Sequence, residues 1–204
     1  MSFDLIAFDL DGTLLDTVPD IAAACVQMMG ALGLPELPTA DIRRFVGQGT
    51  GELVRQCLAE VGAPTDADAL DQALAAFRTA YEAENGVRAS VFAGVAEGLE
   101  KFAASGLPLI VVTNKPTQFS LPLLDQTGLA PFFRFAVCGD TTPYKKPHPE
   151  PLLYACRRLD VAPERLLLIG DSINDARAAR AARAQVVLVT YGYADSAPVS
   201  ASDC

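Results

Sequence analysis

The apolar positions of this chain follow two rhythms. From residue 92 onward, the short apolar runs "LPLIVVTN", "FRFAVCG", "RLLLIGD" and "QVVLVTYGY" alternate with the helical patterns "GVAEGLEKFAASG", residues 117–127, "LLYACRRLD" and "NDARAARAARA". Such runs read as strands of a parallel sheet, which is covered on both faces and so lacks the polar alternation of a half-exposed one. Their alternation with helices indicates βαβ units. One further run, "LIAFDL", stands near the start of the chain. Between Thr17 and Arg88 no strand pattern occurs. There "DTVPDIAAACVQMMGALG" predicts a helix with Pro19 in its first turn and Ile21, Cys25, Met28, Met29 and Leu32 on one face. Thr39 is placed to cap a short helix carrying Arg43 and Arg44, and "VGQGTG" reads as a loop. Two more helices, "GELVRQCLAEVG" and "ADALDQALAAFRTAYEAENG", end at Gly62 and Gly86. The predicted fold class is therefore α/β, with a parallel sheet core from residues 1–16 and 89–204. An all-helical domain, residues 17–88, is inserted after the first strand. The stretch "ADSAPVSASDC" reads as an unstructured tail.

Charge and cysteine content narrow the class of partner. A net charge of −9 argues against nucleic acid or an anionic membrane, both of which demand a basic footprint. The five cysteines are odd in number, scattered and without a C-x-x-C pair, which predicts reduced thiols in a reducing compartment. Asp4 and Asp9 interrupt the only apolar run near the N-terminus, so it is not a signal peptide. No run has the length of a membrane span. A cytoplasmic protein is expected, as a monomer or homodimer.

The first strand poses a chemical problem. "LIAFDLDGTLLDT" places two carboxylates, Asp9 and Asp11, at the end of an apolar run. A carboxylate in such surroundings is costly unless it is paired or binds a cation, so something positive is expected there. Ligands of open α/β sheets bind beyond the carboxyl ends of the strands. Four such ends are polar here: "DLDGT", "TNK", "KKP" and "GDSIND". Each alone has a plain reading, as a turn, a helix cap or a solvated loop charge. Together they would bring Asp9, Asp11 and Asp171 to one edge of the sheet, beside Lys146, Thr113 and Asn114. An all-oxygen set of this kind suits Mg²⁺, which binds through one or two carboxylates plus a phosphate. His148, the only histidine, sits between two prolines and reads as an exposed loop residue; a His-rich zinc centre is excluded.

In this order, "DLDGTLLDT", "VVTNK", "KKPHPEP" and "GDSINDARAA" resemble the four motifs of the haloacid dehalogenase-like phosphohydrolases, over nearly the whole chain. "VCGD" before "KKPHPEPLL", together with "VGQGTGELV", is most similar to the bacterial phosphoglycolate phosphatases. The resemblance implies a Rossmann-like core carrying a mobile helical cap, and a role for each residue. Asp9 would be the nucleophile, forming an aspartyl-phosphate, and Asp11 the general acid and base. Asp9, the Asp11 backbone carbonyl and Asp171 would hold Mg²⁺. Lys146, the Thr113 hydroxyl and the Asn114 N–H would bind phosphate. Gly12 would turn the chain sharply and direct backbone N–H groups at the phosphate. Asp175 would orient Lys146 or metal-bound water, or serve only as an acid at a helix N-terminus. Gly47, Gly49 and Gly51 would let the cap loop approach a small substrate. Arg43, Arg44 and Arg55 are candidates for a substrate carboxylate, or plain solvated helix surface, and Gly94 and the residues around Asp16 would act as hinges.

The expected substrate is a small anionic phosphate ester, 2-phosphoglycolate above others. The alternatives are a sugar phosphomutase of the β-phosphoglucomutase type and a phosphatase for pyrophosphate, nucleotides or sugar phosphates. A catalytically silent phosphate-binding protein is disfavoured because every named catalytic residue is present. Asp11 argues against carbon–halogen hydrolysis, since those relatives generally lack the second acid. Members of the family usually continue past "TYGY" into another strand and a final helix, whereas this sequence stops at Cys204.

Overall fold

A strand of a parallel sheet covered by helices on both faces must be apolar on both, and one run near the start of the chain meets that demand completely. It becomes β1 (Leu5–Phe8), buried at every position, and it lies at the centre of the sheet. In the computed structural model, which describes residues 2–193, it is flanked by β4 (Leu109–Val112) and β6 (Leu166–Gly170). With β5 (Ala136–Val137) and β7 (Gln185–Leu188) at the edges, five parallel strands run in the order β5-β4-β1-β6-β7. The expected tail, residues 194–204, lies outside the described residues.

Alternate side chains of a strand point to opposite faces, and the core divides accordingly. Leu5, Ala7, Ile110, Val112, Leu166 and Leu168 pack against α7 (Glu150–Leu159) and α8 (Ile173–Ala182). Ile6, Phe8, Leu109 and Val111 pack on the other side against α5 (Val95–Ala104) and α6 (Thr117–Gln126). The alanines of α8 let it lie close on the sheet, with Ala176, Ala178 and Ala179 fully buried.

Between the first two core segments, α1 (Val18–Ala31), α2 (Thr39–Phe45), α3 (Thr50–Glu60) and α4 (Ala67–Glu84) share a separate apolar cluster. Met28, Met29, Ile42, Cys57 and Phe77 are at its centre, and Phe119 of α6 reaches into it from the core. Thr39 is not the cap of α2. It is the first helical residue, and Pro38, extended at φ −58° and ψ 142°, precedes it as N-cap without a side-chain bond.

Two strands end earlier than their composition predicts. β7 stops at Leu188, which pairs with Gly170, the last residue of β6. The Val189 N–H makes the last bond to β6, at Gly170 O (2.8 Å), and the chain then leaves the ladder, the Tyr193 N–H donating to Asp171 at 2.7 Å. β5 is limited likewise to the two residues that pair with Val111 and Val112.

The two chain crossings between sheet and helices pair in a ribbon that the sequence pattern does not reveal. β2 (Leu15–Asp16) runs antiparallel to β3 (Ser90–Val91). Asp20 on α1, fully buried, ties the return crossing down by accepting from the N–H groups of Gly86 (2.8 Å), Arg88 (2.7 Å) and Ala89 (3.2 Å). Asp20→Ala strands those donors and is expected to cost about 3 kcal/mol of stability. The urea midpoint should fall at constant m-value. A midpoint equal to the parent's would mean that the ribbon holds without Asp20.

Candidate active site

Strand order reverses at β1, since the chain goes next to β4 on one side and later to β6 on the other. The crevice at such a switch point is where open α/β sheets bind ligands. Asp9 follows β1 directly, Thr113 and Asn114 follow β4, and Asp171 follows β6. Adjacent parallel strands thus bring side chains distant in sequence to one edge.

Asp9 is 5% exposed and lies 3.0 Å from the Lys146 ammonium. Its Oδ1 also accepts from the Leu10 N–H at 2.7 Å. Lys146 reaches it from the loop before α7 and donates to Asp175 Oδ1 at 2.6 Å. The other oxygen of Asp175 accepts from the Ser172 N–H (3.1 Å), the Ser172 hydroxyl (2.7 Å) and the Asp171 N–H (3.3 Å), as the capping box of α8. The two readings of Asp175 are therefore one: the acid that caps the helix also fixes Lys146.

Asp171 accepts from the Thr13 hydroxyl at 3.2 Å and the Tyr193 N–H at 2.7 Å. A Cβ on Gly12 would lie 2.3 Å from its Oδ2, and Gly12 has φ +84°, so only glycine lets the loop approach Asp171 this closely. The N–H of Gly12 itself donates to Leu15 O at 2.9 Å, closing the loop's own turn.

Negative charge is crowded here. Asp9, Asp171 and Asp175 each offer an oxygen, all within 4.8 Å of one another. Burial pushes the Asp9 carboxyl up to about 8, helped by the charges of Asp175 and Asp171 and opposed by Lys146. Burial, with Asp175, lifts Asp171 to about 6. Burial alone would depress Lys146, but Asp175 and Asp9 hold it well above the ordinary lysine range. One lysine does not balance three carboxylates, and a hard divalent cation fits this donor set. Asp175 is committed to Lys146 and the capping box, which leaves Asp9 and Asp171 as the carboxylates for such an ion.

Asp11 stands apart, with a cation of its own. Its Oδ1 accepts from the Thr17 hydroxyl at 2.7 Å and lies 3.1 Å from the Lys115 ammonium. Lys115, itself buried, also donates to the Tyr81 hydroxyl of α4 at 2.5 Å. No pattern in the sequence marks Lys115, Tyr81 or Thr17 as partners of Asp11. The only signal for Lys115 was its place at the end of "VVTNK". Asn114 spends its side chain on bracing: Nδ2 donates to Gly47 O (2.9 Å) and Lys146 O (2.8 Å), and Oδ1 accepts from the Lys146 N–H (2.9 Å). Gly47 brings the helical loop onto the sheet edge. The Thr113 hydroxyl accepts from the Lys115 N–H at 3.2 Å and faces the cavity shared by Asp9 and Asp11.

Arg43, Arg44 and Arg55 do not line that cavity. Arg43 donates to Gly192 O at 2.6 Å and lies over the Tyr193 ring. Arg44 pairs with Asp41 at 2.9 Å and lines a neighbouring cleft with Asp171. Arg55 pairs with Glu52 on the surface of α3. Tyr193 joins several parts: its hydroxyl accepts from the N–H groups of Thr17 (2.5 Å) and Val18 (3.1 Å) and donates to Asp16 (2.8 Å). His148 is exposed and stacks on Tyr144. Asp16 lies in the ribbon, and Gly94 precedes α5 at φ +81°.

A buried carboxylate beside a lysine, with a second acid on a separate cation, is equipped for nucleophilic attack on phosphorus and protonation of a leaving oxygen. The haloacid dehalogenase-like hydrolase model matches residues 6–189. The chain is 44% identical over 200 residues to the phosphoglycolate phosphatase of Nitrosospira multiformis, covering 98% of this chain and 88% of that protein. It is 45% identical over 199 residues to the phosphoglycolate phosphatase of Thiobacillus denitrificans, covering 97% and 88%. A crystal structure described as a predicted phosphoglycolate phosphatase from Haemophilus somnus is similar at TM-score 0.90 and 32% identity, over 95% of this chain and 88% of that one.

Proposed function

The chain belongs to the haloacid dehalogenase-like hydrolases and is a phosphoric monoester hydrolase; from that premise we propose that it cleaves 2-phosphoglycolate to glycolate and phosphate, with Mg²⁺, through an aspartyl-phosphate on Asp9. The observation that carries this reading is the pairing of Asp9 with Lys146 at 3.0 Å while Asp11 keeps a separate lysine in the same cavity. The substrate follows the relatives named above.

An oxygen of Asp9 attacks phosphorus as the ester P–O bond breaks, and Asp11 gives its proton to the departing alkoxide. Lys146, the Thr113 hydroxyl and the Asn114 backbone N–H take the charge that develops on the phosphoryl oxygens. Asp11 then removes a proton from water as it attacks phospho-Asp9, releasing phosphate and restoring both acids. Asp9, Asp171 and the Asp11 carbonyl would hold Mg²⁺, which would supply positive charge against the crowded anions. Asp175 keeps the Lys146 ammonium aimed at Asp9. Residues 17–88 act as a cap over the core formed by residues 1–16 and 89–204, closing the site to bulk water. The bonds from Asn114 and Asn174 to Gly47 O support a closed arrangement of the cap loop.

No helix among the described residues is long and apolar enough to cross a membrane. Among the described residues Cys25, Cys57, Cys138 and Cys156 are buried free thiols, and the cytoplasm is the proposed compartment.

Phosphate release in Mg²⁺ tests the reading. Steady release from 2-phosphoglycolate is expected, at rates well above those for pyrophosphate, nucleoside monophosphates and hexose phosphates. Conversion of β-glucose 1-phosphate to its 6-phosphate isomer without net release would make the protein a mutase.

A further inference from the structure

We propose that Lys115 is the residue that recognises the substrate's carboxylate, and that it does so by exchanging Asp11 for that carboxylate. The inference rests on the reading of the substrate as a carboxylate-bearing phosphate monoester.

Lys115 is 6% exposed, yet it faces the cavity that Asp9, Asp11, Thr113, Phe77 and Tyr81 also line. Its ammonium lies 3.1 and 3.4 Å from the two oxygens of Asp11. In the reaction, the ester oxygen must come within hydrogen-bond reach of Asp11. The carboxyl carbon of 2-phosphoglycolate is two bonds beyond that oxygen. A leaving group that meets Asp11 therefore carries its carboxylate into the reach of Lys115. Burial alone would depress this lysine, but Asp11 and Tyr81 hold it well above its ordinary range, so it is charged when substrate arrives.

The resting geometry makes recognition and catalysis one event. Asp11 is a carboxylate tied to Lys115 and to the Thr17 hydroxyl, and it must turn from Lys115 and take a proton from water before it can serve the leaving oxygen. A substrate carboxylate offers Lys115 an equivalent charge, so the exchange leaves no buried ammonium unpaired. A neutral leaving group offers none, and breaking a buried pair without replacement is strongly unfavourable. Tyr81 completes the site from α4. Its hydroxyl accepts from Lys115, and burial pushes its ionisation up to about 12, so the phenol keeps its hydrogen as a second donor for the carboxylate. The arginines are poorer candidates: Arg55 pairs with Glu52, Arg43 with Gly192 O, and Arg44 is half exposed beside Asp41.

The test compares 2-phosphoglycolate with 2-hydroxyethyl phosphate, which replaces the carboxylate by a neutral hydroxymethyl group. Parent, Lys115→Met, Lys115→Gln, Tyr81→Phe and Arg44→Ala proteins are assayed with Mg²⁺, and folding is checked by circular dichroism. The parent should prefer 2-phosphoglycolate by about 100-fold or more in kcat/KM, because a site built for a charged partner rejects the analogue lacking it. In Lys115→Met and Lys115→Gln that ratio should collapse by about 100-fold, whatever both substrates lose together through Asp11. Tyr81→Phe should lower it by about 10-fold. A ratio preserved in both Lys115 variants, an equal fall for both substrates, or a collapse in Arg44→Ala alone would overturn the inference and leave the substrate reading standing. A parent without preference would overturn the substrate reading and the inference with it.

Discussion

Asparagine at position 9 will leave the protein folded and lower kcat for 2-phosphoglycolate by at least about 10⁴-fold. The amide has the volume of the carboxylate, so packing at the end of β1 is unchanged, and its oxygen can still accept from the Leu10 N–H. What is lost is the anion, and a neutral amide oxygen does not displace an alkoxide from phosphorus. Lys146 keeps a partner, because Asp175 remains 2.6 Å away. Burial already raises the Asp9 carboxyl to about 8, so the charge removed is one that the metal-free fold accommodates poorly. The melting temperature should therefore stay within about 3 °C of the parent, or rise. Retained turnover, in a sample shown by mass spectrometry to be free of deamidation, would remove Asp9 from the role of nucleophile.

The layout of the sheet was readable because each strand advertises itself locally. β1, β4 and β6 are short apolar runs, and Asp9, Thr113 and Asp171 follow them immediately, so parallel pairing suffices to bring these residues together. Strand length was less readable, because it depends on neighbours: β7 ends where β6 ends, although "VTYGY" is as good a strand sequence as what precedes it. The ribbon of β2 and β3 is too short to form a pattern at all.

Side-chain partners followed the same division. Lys146 and Asp175 stand in the motifs that carry the family resemblance, and the fold brings both to Asp9. The partners of Asp11 could not be assigned, since Thr17, Lys115 and Tyr81 meet only after the helices have packed onto the core. Asp20 likewise serves N–H groups more than 60 residues away. The arginines show the complementary case. Charge type leaves them as carboxylate candidates or plain helix surface, and in the fold Glu52 and Asp41 on their own helices and the Gly192 carbonyl beyond β7 engage them. A cation's availability is set by its neighbours in space, which a linear pattern does not contain.

Removing divalent metal is expected to reduce turnover by about 10³-fold or more, with recovery on adding Mg²⁺. Asp9, Asp171 and Asp175 crowd within 4.8 Å around one lysine, and the last is committed to that lysine and its helix. A cation bound only by the folded protein adds stability by mass action, about 2.7 kcal/mol at one hundred times its Kd. For a chain of this size that is roughly 5–10 °C in melting temperature. Asp171→Asn should abolish most of this shift as well as the turnover. The sign of the pH dependence follows from the raised carboxyls. Bound metal requires ionised ligands, and in the free protein Asp9 holds a proton up to about 8 and Asp171 up to about 6. Each proton displaced weakens apparent binding, so Mg²⁺ should bind more tightly as pH rises from about 6 to about 8, and proton release on binding should shrink over the same interval. Full turnover in chelated buffer, or a melting temperature and an apparent Kd indifferent to Mg²⁺ and pH, would exclude Asp9 and Asp171 as its ligands.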